Sequence, residues 1–192
     1  MEHMRYEHLL IFALTMVIVW LIVLYFLPRM LLSVFKRAIL VKGFGEGPIP
    51  INTLYTQPQE QCADPLHSPG TRLTTTGVNR DTLITIGWLD LSKGPQILHV
   101  PDMAGRYYSV QLTGPSNNTA FAYVGKRTTG TKAVDYLICG PRWKGDVPSE
   151  VSQISSPNNS VLIIGRVLVE NESDLPTAYS FSNQLQLSSF RY

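Results

Sequence analysis

Charge, histidine and cysteine are all scarce in this 192-residue chain. Asp, Glu, Lys and Arg make up 16% of it, against about 25% in an ordinary soluble domain. There are four histidines, and only His99 falls in the region that reads as strands. HExxH, CxxC and GxSxG are absent, and so is the GxxxxGK[ST] spacing of a phosphate-binding loop. A metal hydrolase or a Ser-His-Asp enzyme needs more histidine than this, so no metal site, cofactor or catalytic set is expected. After residue 42 the chain carries 11 basic and 12 acidic residues. A near-neutral domain without a basic stripe is poorly suited to a phosphate backbone, which argues against a nucleic-acid partner. The two cysteines, Cys62 and Cys139, fit either one disulfide in an oxidising compartment or two buried thiols. No internal repeat, heptad or low-complexity tract is present.

What the chain does have is a long apolar run. Residues 9–27, LLIFALTMVIVWLIVLYFL, contain no charge, proline or glycine. As a helix they span roughly 28 Å, about the hydrocarbon thickness of a bilayer. Trp20 is mid-span and Tyr25 lies near the far end, where an amphipathic ring suits the interface. A cleaved signal peptide is the competing reading. Its apolar region is normally shorter and ends at a small-x-small site, whereas here LPRMLLSVFKRAIL follows. The expectation is a retained transmembrane helix behind a short tail, residues 1–8.

Pro28 opens a second helical stretch, residues 28–42. Leu31, Val34, Phe35, Ala38 and Ile39 share one face, and Arg29, Ser33, Lys36 and Arg37 lie mostly opposite. That pattern suits a helix resting on a membrane surface with its cations at the headgroups. It equally suits an anchor helix continuing into water with its apolar side packed on a domain. Tyr25, Arg29, Lys36 and Arg37 are the membrane-interface residues. Orientation is contested within the sequence. Residues 1–42 hold five Lys/Arg against Glu2 and Glu7, mostly after the span, so the positive-inside rule leaves the domain cytoplasmic. A domain rich in Ser, Thr and Asn, with sequons at Asn117, Asn158 and Asn171, points the other way.

Residues 43–77 are dense in Gly, Pro, Gln and Thr and read as an extended arm or linker, with one strand in PINTLYT. From residue 78 the reading changes. TLITIGWLDL, QILHVP, GRYYSVQLTG, TAFAYVG, AVDYLICG and SVLIIGRVLVE are short apolar or alternating runs separated by Gly, Pro and Asn. They predict a mainly β domain over 78–192, an antiparallel sandwich, jelly roll or barrel. One helix is expected near the C-terminus, in ESDLPTAYSFSNQLQL, with Ser173 or Asp174 as cap and Pro176 in the first turn.

Several segments, in order, resemble the domain of unknown function 1254 family: VNRDTL (78–83), WLDLSKGP (88–95), VPDMAGRYYSVQL (100–112), RTTGTKAVDYLICGPRWKG (127–145) and IIGRVLVENESDLP (163–176). The resemblance runs across about residues 50–190. It implies a mostly β domain, often exported or membrane-associated, and commonly found with a second module, domain of unknown function 1214. That second module is not seen in this sequence, so a separate partner chain carrying it is an expectation of the resemblance. One departure is Ile84, where the family usually places an aromatic residue after Asp-Thr-Leu. The resemblance implies no particular reaction.

The polar clusters supply the candidate site residues. Asn79, Arg80 and Asp81 are able to orient a carboxylate or phosphate, though as turn residues they equally cap the strand from Thr82. Tyr107 and Tyr108 point to opposite faces, one into the core and the other toward a cleft. Arg106 is expected to pair with a carboxylate such as Asp102. KRTTGT (126–131) is the densest patch; its plain reading is a hairpin loop between TAFAYVG and AVDYLICG, with Gly130 at positive φ. Two functions follow. One is a single-pass membrane protein whose β domain serves as an accessory subunit docking a partner protein. The other is a ligand-binding or enzymatic half-site lined by Asn79, Arg80, Asp81, Tyr108, Arg127 and Thr129 and completed by another chain.

Overall fold

A computed structural model describes residues 2–43, 47–56, 81–114 and 119–190. The chain divides into two compact units, Met1–Ala38 and Ile39–Tyr192. The first consists of helix α1, Glu2–Lys42, whose last turn belongs to the second unit. The helix runs through Pro28 rather than ending there. Proline at that position costs one backbone donor, and the flanking turns carry the helix past it. In a run this apolar, polar side chains must find partners on the helix itself. Thr15 Oγ1 donates to the Ile11 carbonyl (2.8 Å) and Ser33 Oγ to the Arg29 carbonyl (2.9 Å). Arg29 curls back one turn, with an Nη donating to the Tyr25 carbonyl (2.6 Å) and its guanidinium 3.7 Å from the centre of the Tyr25 ring.

The second unit is a two-sheet β sandwich. Its strands are β1 Leu54–Thr56, β2 Thr82–Asp90, β3 Gln96–Val100, β4 Tyr108–Gly114, β5 Thr119–Gly125, β6 Val134–Cys139, β7 Ser152–Ser155, β8 Ser160–Leu168 and β9 Gln186–Ser189. A 3-10 turn, Glu172–Asp174, leads into helix α2, Leu175–Gln184. The larger sheet has the order β1-β2-β8-β4-β5 and the smaller β7-β6-β3-β9. All described pairings are antiparallel except β6 with β7. Among the described strands neither sheet closes into a barrel.

Side-chain alternation explains the core. Leu83 and Leu89 of β2, Tyr108, Val110 and Leu112 of β4, and Val161, Ile163 and Val167 of β8 face inward. They meet Leu98 and Val100 of β3 and Tyr136 and Ile138 of β6. Helix α2 adds Leu175 and Ala178 to the same cluster. The other face of the larger sheet is also covered. Ile86 and Trp88 of β2 and Leu162 of β8 pack with Ile39 and Ile49 in a second cluster. Burial on both faces is why TLITIGWLDL and SVLIIGRVL read as near-continuous apolar runs rather than as alternating ones. Trp88 satisfies its indole N–H on Ser160 Oγ (2.6 Å).

Three expectations change at this level. KRTTGT is not a hairpin loop, because β5 belongs to the larger sheet and β6 to the smaller. It is a crossover between sheets, and Gly130 does hold a positive φ of 85°. Arg106 does not pair with Asp102, whose carboxylate instead accepts from the Ala104 amide (2.8 Å). Its partner is Asp174, 68 residues further along the chain. Finally, the C-terminal helix stops at Gln184, and QLSS extends as β9 beside β3. Asp174 is the N-cap residue of α2, though its side chain makes no capping hydrogen bond; the preceding 3-10 turn is capped by Asn171, whose side chain accepts from the Asp174 amide.

Candidate functional site

The strand register sorts the polar residues to opposite ends of the sandwich. At one end lie the start of β2, the end of β8, the start of β4 and the end of β5, through the pairs Thr82–Leu168, Tyr108–Val167 and Ser109–Gly125. Asp81 is exposed there, and its carbonyl accepts from the Val169 amide (2.8 Å). Arg127 is exposed, with its guanidinium 5.4 Å from the centre of the Tyr107 ring. Thr129 Oγ1 is used within its own turn, accepting from the Gly125 amide (3.1 Å). Tyr108 is buried in the core, where its hydroxyl makes no well-formed hydrogen bond. Burial pushes that phenol upward, moderated by the nearby Thr129 hydroxyl. Asp81 and Arg127 are therefore three strands apart, roughly 14 Å across the sheet. Asn79 and Arg80 lie outside the described residues, as does Cys62. Cys139 is a free thiol buried at the end of β6, and that burial raises its pKa.

The same end is locked by the Arg106–Asp174 pair. Two Nη donate to the two carboxylate oxygens (2.5 and 2.6 Å), and one Nη also donates to the Leu168 carbonyl (2.7 Å). The Glu170 amide donates to Asp174 (2.9 Å). The Arg106 hydrogen bond holds the Asp174 carboxyl below its usual range. This constellation fastens the 3-10 turn to the β3–β4 connection, which makes it structural.

The opposite end holds a cleft of about 520 Å³, within the range of small-molecule sites. Three segments build it. The β2–β3 turn supplies Ser92, Lys93 and Gly94; the stretch after β6 supplies Gly140, Arg142, Trp143, Lys144 and Gly145; and Asn159 enters just before β8. The Asp90 carboxylate caps the turn by accepting from the Ser92 amide (3.0 Å). The Leu91 amide donates to the Asn159 carbonyl (2.7 Å). Gly140 keeps the approach close, since a Cβ there would lie 2.7 Å from Asn159 Oδ1 and 3.3 Å from Leu91 Cβ and would push the Asn159 side chain aside. Trp143 is set edge-to-face against Phe190, with centroids 6.4 Å apart. Among the described residues no carboxylate side chain lines the cleft.

Comparison with known proteins bears on this arrangement. A family described as "Protein of unknown function (DUF1254)" matches residues 61–189. The chain belongs to the DUF1254 family. No curated protein matches it. Among solved structures, it is similar to the VPA0106 protein from Vibrio parahaemolyticus, at 25% identity and a TM-score of 0.62. That similarity covers 85% of this chain and 36% of the other, so this chain spans about a third of that protein's length. An uncharacterized protein from Burkholderia cenocepacia aligns at 12% identity and a TM-score of 0.39, over 62% of this chain and 31% of the other. In this DUF1254 chain, the segments WLDLSKGP and CGPRWKG meet at the cleft although 51 positions separate Lys93 from Lys144. RTTGT, at the start of RTTGTKAVDYLICGPRWKG, lies at the other pole of the sandwich. The usable signal was the far end of that segment, where two cations flank a tryptophan.

A second depression of about 470 Å³ lies between β5, the edge of the larger sheet, and β6 and β7 of the smaller. Tyr123, Thr129, Lys132, Tyr136 and Gln153 are among its lining residues. Tyr123 is 53% exposed, the most exposed large apolar residue of the described sandwich.

Proposed function

We propose that this chain is a single-pass membrane protein whose DUF1254 sandwich docks a partner protein, as an accessory subunit of a membrane-associated assembly. The observation that carries the anchoring is helix α1. It contains an 18-residue window with a mean hydropathy of 2.9, none of it buried. Large apolar side chains from Leu9 to Leu27 stand exposed all around it. Such a surface is stable in hydrocarbon and costly in water. Alkaline carbonate washing of membranes tests this directly. The full chain is expected to stay with the membrane pellet; release into the wash overturns the anchor.

The docking part is supported by the open edge of the larger sheet. Among the described residues no strand pairs with the outer side of β5. Free backbone donors and acceptors beside an exposed tyrosine offer an extended partner segment a strand to extend. The VPA0106 protein supports the same reading, since the matched region is about a third of that chain and is joined there to further polypeptide. A partner carrying the domain of unknown function 1214 is the expected occupant. Purification in mild detergent should recover such a protein, and Tyr123→Lys should lose it with the sandwich intact. A lone monodisperse monomer counts against docking. The domain is placed on the extracytoplasmic side from the family's habit and the composition, against the charge rule. Protease should then cleave it in intact cells or spheroplasts, and full protection reverses the placement.

A further inference from the structure

The cation-lined cleft takes no lining residue from the β5 edge, and the docking reading does not use it. Its chemistry is one-sided. Lys93, Arg142 and Lys144 converge on one cavity from two distant segments, and among the described residues no carboxylate side chain lines it. All three are exposed. Asp90 is engaged with the Ser92 amide, and Asp146 follows Gly145 outside the lining. This concentration of charge is set in a region of 11 basic and 12 acidic residues, so it is a local choice rather than an overall basic character. Like charges that share a cavity repel each other, and a bound anion relieves that repulsion. Arginine and lysine beside Ser92, Asn159 and three glycines give charged, hydroxyl and amide groups suited to tetrahedral oxyanions. Trp143 adds an aromatic wall whose position Phe190 steadies.

We propose that this cleft binds a phosphate-bearing ligand, with the phosphate held by Lys93, Arg142 and Lys144 and the organic part set against Trp143. The phosphate has two sources in a membrane-anchored protein, a soluble phosphomonoester or a phospholipid headgroup. Calorimetric titration of the full chain in neutral maltoside micelles tests the site with three probes: inorganic phosphate, phenyl phosphate, and dihexanoyl phosphatidic acid below its micellar concentration. Phenyl phosphate is expected to bind saturably, about threefold to tenfold tighter than inorganic phosphate because of the ring contact. Trp143→Ala should erase that difference and leave inorganic phosphate binding in place.

Arg142→Gln with Lys144→Gln should weaken every probe by roughly tenfold or more. The matched pair Lys126→Gln with Arg127→Gln, at the other end of the sandwich, should change none of them. Phosphatidic acid binding well above phenyl phosphate assigns the headgroup source, and the reverse order assigns a soluble ester; both uphold the site. No saturable binding by any probe overturns the proposal. So does equal affinity in the Arg142/Lys144 variant. These side chains are solvent-exposed, so the variants should fold, and an unchanged thermal transition confirms it.

Discussion

Replacing Asp174 by asparagine removes one charge from the Arg106 pair and leaves its shape almost intact. Both side chains are 13% exposed, so the pair sits between two regimes. Exposed ion pairs are worth about 0–1 kcal/mol, whereas removing one partner of a buried pair costs about 3–5 kcal/mol. The bidentate geometry and the added bond from the Glu170 amide place Asp174→Asn toward the upper regime, at about 2–3 kcal/mol. A protein of this size loses about 2–4 °C of Tm per kcal/mol. The melting temperature, followed by circular dichroism in maltoside micelles, should therefore fall by about 4–12 °C. Acid supplies a second signature. The folded Asp174 carboxyl titrates below its usual value because of Arg106. Its stabilisation is present above the unfolded pKa of about 3.9 and is lost as pH falls through the lower folded value. The gap between wild type and variant should thus be full at neutral pH and narrow below about pH 4. Arg106→Ala with Asp174→Ala should be no worse than Arg106→Ala alone, because the two act as one unit. A shift under about 1 °C, or a gap that persists unchanged into acid, would refute the reasoning.

Three further outcomes follow from the packing. Thr85→Val removes a hydroxyl bonded to Ser182 Oγ (2.7 Å), which is fully buried. It should cost about 1–3 kcal/mol in urea unfolding, and a neutral result would mean Ser182 finds another partner. Gly87→Ala would place a Cβ 2.5 Å from the Thr53 carbonyl oxygen, so β1 must lift from β2; a loss of about 1–3 kcal/mol with faster amide exchange at Leu54–Thr56 is expected. Tyr108→Phe deletes a buried hydroxyl that makes no well-formed hydrogen bond, with the Thr129 hydroxyl as its polar neighbour. It should be neutral or stabilising, and a loss beyond about 1 kcal/mol would show that the hydroxyl is bonded after all.

The strands were legible because their signals are local. Gly, Pro and Asn mark the ends of TLITIGWLDL, QILHV, AVDYLIC and SVLIIGRVL, and β-branched residues fill them. The long apolar helix was legible for the same reason, since length and hydropathy need no partner to be counted. Helix α2 was found by its proline, while β9 behind it was not. QLSS has little strand character of its own, and becomes a strand because β3 offers it an edge. Arg106 was given the nearby Asp102 in place of Asp174, because sequence distance says nothing about which turn folds back over which strand.

Composition and periodicity by themselves determined a lipid-sized apolar helix, a mainly β domain, and the absence of the recognised metal and hydrolase motifs. Each of those properties is carried by neighbours along the chain. Only the tertiary structure decided which polar residues share a surface. Antiparallel pairing sends alternate strand ends to opposite poles of the sandwich, so KRTTGT and GPRWKG, joined by one strand, part company. GPRWKG instead meets the LSKGP turn some fifty residues upstream. That meeting depends on strand order and register, and these are fixed by burying both sheets against one core rather than by any residue within the cleft.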